Sequence, residues 1–312
     1  MKRKNLYDYF YGTGKNKKAL TKDEVANSNL FTGFWKIYFR KFFKFVTVNL
    51  VYTIFTYPLF CAALVFLVSH SETFLKLMAD EKIMGAFPWL AVMTTGSVEL
   101  LNSGHAWIAY LLFGFAAVIY GPLTAGYFYF LRNCAREEHV WFSDVYTKAK
   151  KNWKQGLLFG IIDITIVYSL LSYAVSYASG SGAAVQVYQF TEYLAYFLGV
   201  LYFIMRFYIY TMIVTFDISF IKTLKNSVIF LFTNIGWNLW IVVLAAICTV
   251  ATFLINALAS FILFPLLYLT FVHFAGVYYA YAPINKYMVK PAMEEKAASA
   301  PKGEEEEPLF KD

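Results

Sequence analysis

The chain reads as an all-α protein, a polytopic transmembrane helical bundle of about six spans with short amphipathic interfacial helices before spans 1, 3 and 5. Three observations predict this. Of the 312 residues, 59% are hydrophobic and only 15% charged, against about 25% charged in a typical soluble domain. Apolar windows recur at the length of about 20 residues that a bilayer core requires. The basic residues alternate: eleven Lys and Arg precede the first window, and the following connections carry two, six, none, two, none and five. Basic residues gather on the cytoplasmic side, so this order predicts a multi-pass cell-membrane protein with both termini cytoplasmic.

The windows lie at about 45–68, 106–131, 156–177, 193–216, 237–261 and 265–283. The last two come from one apolar run, from Trp237 to Pro283, too long for a single crossing. A turn near Asn256, Ser260 and Pro265 would divide it, with Pro265 opening the sixth span. The flanks divide accordingly into a disordered basic cytoplasmic tail (1–28), the six-helix membrane domain (29–284), an extracytoplasmic loop (69–105) and a cytoplasmic tail (285–312), expected to be disordered from Met293 onward. No short apolar core with a small-residue cleavage site opens the chain, so the first span is expected to be an uncleaved anchor. Cys61, Cys134 and Cys248 fall in or at the end of apolar spans, where structural disulfides are not expected.

Three connections on the basic side have amphipathic spacing. In the first, Phe31, Phe34, Trp35, Tyr38 and Phe42 recur at helical intervals while Lys36, Arg40 and Lys44 take another face, as in a helix lying among headgroups, with Asn29 at its cap. In the second, a cap at Ser143 or Asp144 places Val145, Ala149 and Trp153 on one side and Lys148, Lys151 and Asn152 on others. The third follows Asp217, with Phe220, Ile221, Leu224 and Val228 opposing Lys222, Lys225 and Asn226. These stretches read as surface elbows that steer the chain into each hairpin. Their exposed residues Trp35, Arg40, Asp144, Lys151, Asn152, Trp153, Asp217, Lys225 and Asn226 are the candidates for contact with the interface or a partner. The net charge of +7 suits anionic lipid headgroups rather than nucleic acid. The outer loop is acidic, with a short helix expected around Leu75, Met78 and Ile83 followed by a turn at Thr94, Thr95 and Gly96.

Several stretches then match a known pattern. Gly121-Pro-Leu-Thr-Ala-Gly126, Leu131-Arg-Asn-Cys-Ala-Arg-Glu-Glu138, Asp144 and Lys151-Asn-Trp-Lys-Gln155 resemble the YesL-like family of bacterial integral membrane proteins. Asn49 with Pro58 nine residues later, and Thr215-Phe-Asp217 with Lys225-Asn226, fit the same pattern. The long stretch between Pro58 and Gly121 departs from the compact members. The family is a domain of unknown function, and the resemblance implies a supporting role beside carbohydrate uptake systems, with a sugar-transporter subunit as partner.

Ionisable residues inside a span are costly and are functional candidates by default. Asp163 and Arg206 have opposite sign at comparable depth, which predicts an ion pair between the third and fourth spans. His273, near the middle of the sixth span, is a candidate proton carrier or polar ligand, with a neutral imidazole bonded to a backbone carbonyl as the favoured alternative, and Asn49 and Asn256 are candidates for interhelical hydrogen bonds. His70 and His105 flank the outer loop without metal-ligand spacing, so no metal is expected. Gly12-Thr-Gly-Lys15 lacks the spacing of a phosphate loop, and no nucleophile elbow, zinc-protease helix or paired-cysteine motif occurs. The expected function is therefore that of a non-enzymatic membrane accessory without cofactors. The alternative is a small-solute transporter or channel-like protein using Asp163, Arg206 and His273.

Overall fold

The structure is a computed structural model and describes residues 29–70, 75, 88–177, 184–255 and 268–299. Every regular element among these is helical: α1 (Leu30–His70), α2 (Pro88–Asn102), α3 (Ala106–Ala135), α4 (Phe142–Lys151), α5 (Trp153–Tyr177), α6 (Ala184–Ile213), α7 (Phe220–Thr233), α8 (Ile235–Ile255), α9 (Leu269–Ile284), a π-helical turn (Asn285–Val289) and α10 (Lys290–Ser299). Three helical segments among the described residues, Leu30–Phe66, Trp107–Ala135 and Phe190–Ile213, are long and apolar enough to cross a membrane. The α7–α8 pair qualifies as a fourth if it counts as one bent span.

α3 is the central helix and touches α1, α4, α5, α6 and α9. Glycines let the partners come this close. A Cβ at Gly121 would lie 2.0 Å from the Gly156 carbonyl oxygen, and one at Gly160 would lie 2.6 Å from the Gly121 Cα. Gly156-x-x-x-Gly160 thus presents a flat strip of α5 to Gly121, the small-residue contact by which helices associate in lipid. Gly126 makes the same allowance for α4, whose Val145 carbonyl oxygen would be 2.1 Å from an added Cβ.

The first expected elbow is not a separate helix. α1 runs unbroken from Leu30 through the first span, and the aromatic face assigned to headgroups packs inward. Phe34, Tyr38 and Phe45 converge on Phe274 of α9, while Trp35 packs against Phe271. No helix breaker separates the stretch from the span, and a partner aromatic surface buries it more completely than a headgroup layer.

The second and third elbows are distinct helices with altered boundaries or faces. α4 begins at Phe142, where the Asp144 carboxylate accepts the Trp141 N–H at 2.7 Å. It ends at Lys151, so Trp153 opens α5 rather than extending the face of Val145. Lys148 is buried over the Tyr129 ring. α7 splits the expected apolar face, with Phe220 and Leu224 packed against the core. Thr223, Ser227, Phe230 and Leu231 are buried, whereas Ile221 and Val228 are exposed. Small hydroxyl side chains that bond back to their own helix, as Ser227 does to the Thr223 carbonyl at 2.8 Å, permit close packing on α6.

Two further expectations are corrected. Thr94 to Gly96 lie within α2 and form no turn, and residues 293–299 continue as helix α10 instead of a disordered tail. The basic tail 1–28, the outer-loop stretch around Met78 and Ile83, and the turn at Asn256, Ser260 and Pro265 lie outside the described residues.

Candidate functional site

Arg206 and Asp163 meet in the bundle interior. Tyr202, Arg206 and Tyr210 recur every four residues on α6, which puts all three on one helical face. That face meets Asp163 of α5, which is 3% exposed. Its carboxylate accepts three bonds: from Arg206 Nε at 2.8 Å, from the Tyr202 hydroxyl at 2.5 Å and from the Tyr210 hydroxyl at 2.9 Å. On the far side Arg206 Nη2 donates to the Tyr120 hydroxyl of α3 at 2.9 Å. The guanidinium also sits within 6 Å of the ring centres of Tyr120, Phe128 and Tyr210. A carboxylate offers about four acceptor positions, so three are taken. Charge neutralisation and hydrogen bonding together satisfy a pair that could not remain singly charged in an apolar interior.

A second polar layer adjoins this one. The Tyr52 hydroxyl of α1 shares a 3.0 Å hydrogen bond with Thr124 of α3, and Tyr127 donates to the Asn49 side chain at 3.2 Å. The two tyrosine rings stack at 4.4 Å. Their outer neighbour is His273 of α9, surrounded by the rings of Tyr52, Tyr127, Phe128 and Phe207. The imidazole is 7% exposed and its Nδ1 has no hydrogen-bond partner. Five helices therefore contribute to one polar interior, α1, α3, α5, α6 and α9.

A third cluster closes the basic end. Arg132 of α3 is fully buried and, among the described residues, pairs with no carboxylate. Its Nη1 donates to the Val214 carbonyl at 2.6 Å and the Thr215 hydroxyl at 3.1 Å, while Nε and Nη2 donate to the Asn133 side chain. Val214 directly follows α6, so Arg132 caps the negative end of that helix. The C-terminus of α3 is closed in the same spirit. Lys41 donates to the Cys134 carbonyl at 3.0 Å, and Arg40 pairs with Glu137. Glu137 itself occupies the left-handed region at φ 61°. Its N–H bonds the Cys134 carbonyl and that of Glu138 bonds Asn133, the two-bond helix ending that ordinarily places glycine at this position.

The elbow candidates divide into joints and surface. Asn152 is buried, and its side-chain nitrogen donates to the Lys148 carbonyl at 2.9 Å, closing α4 where α5 begins. Gln155 donates to the Ile218 carbonyl at 2.7 Å and ties this joint to the segment before α7. Trp35 is half-buried against α9, and Arg40 and Asp144 serve the contacts already described. Trp153, Lys151, Asp217 and Lys225 are exposed and Asn226 is half-buried. Asn256 lies outside the described residues.

Sequence reasoning passed over Tyr120, Arg132, Glu137, Asn234 and Asn238. The last two hold the 87° bend between α7 and α8. Asn238 donates to the Leu231 carbonyl at 2.8 Å and accepts from Tyr208 at 2.7 Å, while Asn234 donates to the Tyr208 hydroxyl at 3.0 Å. The four-residue spacing of Asn234 and Asn238 at the edge of an apolar run was the available signal. His105 stands at the start of α3 and bonds Ser103 at 3.0 Å. Among the described residues no group of three or more His, Cys, Asp or Glu is placed to hold a metal.

Comparison with protein-family models, curated proteins and solved structures finds no match to this chain.

Proposed function

We propose that this chain is a non-catalytic membrane accessory protein, a static bundle that presents its basic end to a partner in a carbohydrate uptake system. In this reading α1, α3, α5, α6, α8 and α9 are six crossings, and both termini and the basic elbows face the cytoplasm. The observation that carries the reading is the closed network at Asp163. The carboxylate is held by an ion pair and two phenol hydrogen bonds, which a proton or solute reaching it must first break. Charges used in this way join the helices of a bundle, and the glycine contacts bring α3 and α5 together backbone to backbone. The assignment to carbohydrate uptake rests on the YesL-like resemblance of the Gly121–Gly126 and Leu131–Glu138 stretches.

Crosslinking with mass spectrometry on native membranes tests the proposal, with a membrane protein of similar topology as control. The expected result is a reproducible crosslink from Lys150, Lys151 or Lys154, or from Lys222 or Lys225, to a transporter subunit. Self-crosslinks alone, under conditions that preserve a known uptake complex, would reject it.

A second reading, a small-solute transporter, is favoured by one feature, the unpartnered Nδ1 of His273. Introduced cysteines at 163, 206 and 273 that react with a water-soluble thiol reagent from either side would support that reading.

A further inference from the structure

The polar layer of Tyr52 and Tyr127 forms the inner wall of a groove between α1, α3 and α4. Thr47 and Val51 of α1, Leu123 of α3, and Phe142 and Val145 of α4 complete it, around a cavity of about 340 Å³. The hydroxyls of the two tyrosines are engaged with Thr124 and Asn49. What they turn toward the cavity is therefore ring surface, and the groove offers almost nothing to a sugar or another hydrogen-bonding solute. Its chemistry fits a hydrocarbon chain.

The mouth has the opposite character. Lys44 is exposed and lies one helical turn before Thr47 and Val48, on the same side of α1. Arg40 and Lys41 lie on the preceding turn, and both contact Glu137. Against Glu137 and the Asp144 carboxylate held by the Trp141 N–H, three cations still leave an excess of positive charge at the rim. Beside it Trp141 and Tyr146 of α4 stand 66% and 73% exposed, the aromatic types that settle at the boundary between lipid and water. An apolar slot opening beside a cationic rim at that level matches the two halves of one molecule.

We propose that this groove binds one anionic glycerophospholipid, with an acyl chain against Tyr52 and Tyr127 and the phosphate at Lys44. The site depends on the membrane placement of the bundle and not on the accessory role. A basic residue near a membrane surface favours an anionic lipid by about fivefold, which sets the expected discrimination against a zwitterionic lipid with the same chains. Bound in this way, the lipid would bridge α1, α3 and α4 and link the basic end to the polar interior.

The test is native mass spectrometry of the full chain, delipidated in a neutral detergent and titrated with phosphatidylglycerol or with phosphatidylcholine of identical chains. One phosphatidylglycerol is expected to stay bound, with phosphatidylcholine about fivefold weaker. Lys44→Glu should abolish that preference while leaving phosphatidylcholine binding in place. Thr47→Trp, or Val51→Trp should the first variant not fold, should fill the slot and remove both lipids. Val243→Trp, on an exposed position of α8 remote from the groove, should remove neither. Equal retention of the two lipids by the unaltered chain, a preference that survives Lys44→Glu, or retention that survives filling the slot would each overturn the proposal. So would equal losses in Thr47→Trp and Val243→Trp, which would mean nonspecific coating by lipid. A dimer mass that disappears with Thr47→Trp would show that a second copy occupies the groove.

Discussion

Arg206 and Arg132 are both buried, yet the protein settles them by different means. Arg206 lies deep between α3, α5 and α6 and is matched by a full opposite charge, Asp163, with three tyrosines completing the shell. Arg132 pairs with no carboxylate among the described residues and is satisfied by the Val214 carbonyl, the Thr215 hydroxyl and the Asn133 amide. The difference follows from position along the helices. Mid-helix carbonyls are consumed by the helix itself, so a cation there must find a side-chain acceptor. At the end of α6 the last carbonyls are unpaired and carry the negative pole of the dipole, which supplies the equivalent of about half a charge. One arginine therefore joins helices side to side, and the other joins the side of α3 to the end of α6.

The largest test is to break the deep pair. Asp163→Ala leaves Arg206 buried and uncompensated, and the loss of stability is expected to be about 3–5 kcal/mol. It would be measured by reversible unfolding in a detergent–SDS titration. Replacing both charges, Asp163→Leu with Arg206→Met, should recover most of the loss, because desolvation of the two ions is removed with their attraction. A double variant no more stable than Asp163→Ala would show that the tyrosine shell, and not the charge balance, dominates the site.

The intermediate test is at the helix end. Arg132→Met removes the donor to the Val214 carbonyl and the Asn133 amide oxygen, while the Thr215 hydroxyl keeps its bond to the Thr211 carbonyl, so no charge is stranded and the cost should be about 2 kcal/mol, less than Asp163→Ala. Arg132→Lys should fall between wild type and Arg132→Met, since an ammonium supplies charge to the end of α6 but lacks the planar fork that reaches Val214 and Asn133 together. If Arg132→Lys and Arg132→Met were equally destabilised, charge at the helix end would contribute nothing measurable and the fork geometry would carry the contact.

The two sites were unequally legible in the sequence. Asp163 and Arg206 announce themselves because each interrupts an apolar window, and counting residues from the basic side puts them at similar depth. Their tyrosines do not, since the chain has 25 of them and interfacial anchoring accounts for most at first sight. Arg132 was hidden by standing near the end of a span, where a basic residue ordinarily faces water. The same limit explains the elbows. Helical spacing marked Phe31 to Phe42 and Phe220 to Val228 as amphipathic, but periodicity does not say whether an aromatic face meets lipid or another helix. Phe34 found Phe274, whereas Ile221 remained exposed. Gly156-x-x-x-Gly160 was the plainest unread signal, because its spacing alone marks a close helix contact.

The smallest effect is expected at Glu137, which closes the helix that carries Arg132 and holds φ at 61°. A residue with a Cβ in the left-handed region is disfavoured by about 1 kcal/mol relative to glycine. The Arg40 contact that Glu137 makes is partly exposed, with the two side chains 32% and 11% accessible, and is worth at most about 1 kcal/mol. Glu137→Ala and Glu137→Gly both lose that contact, so their difference isolates the backbone. Glu137→Gly should be the more stable of the two by about 1 kcal/mol and close to wild type. Equal stabilities would mean that the helix end shifts out of the left-handed region when the glutamate is removed. The Arg40 and Lys41 contacts would then be what imposes that conformation at the end of α3.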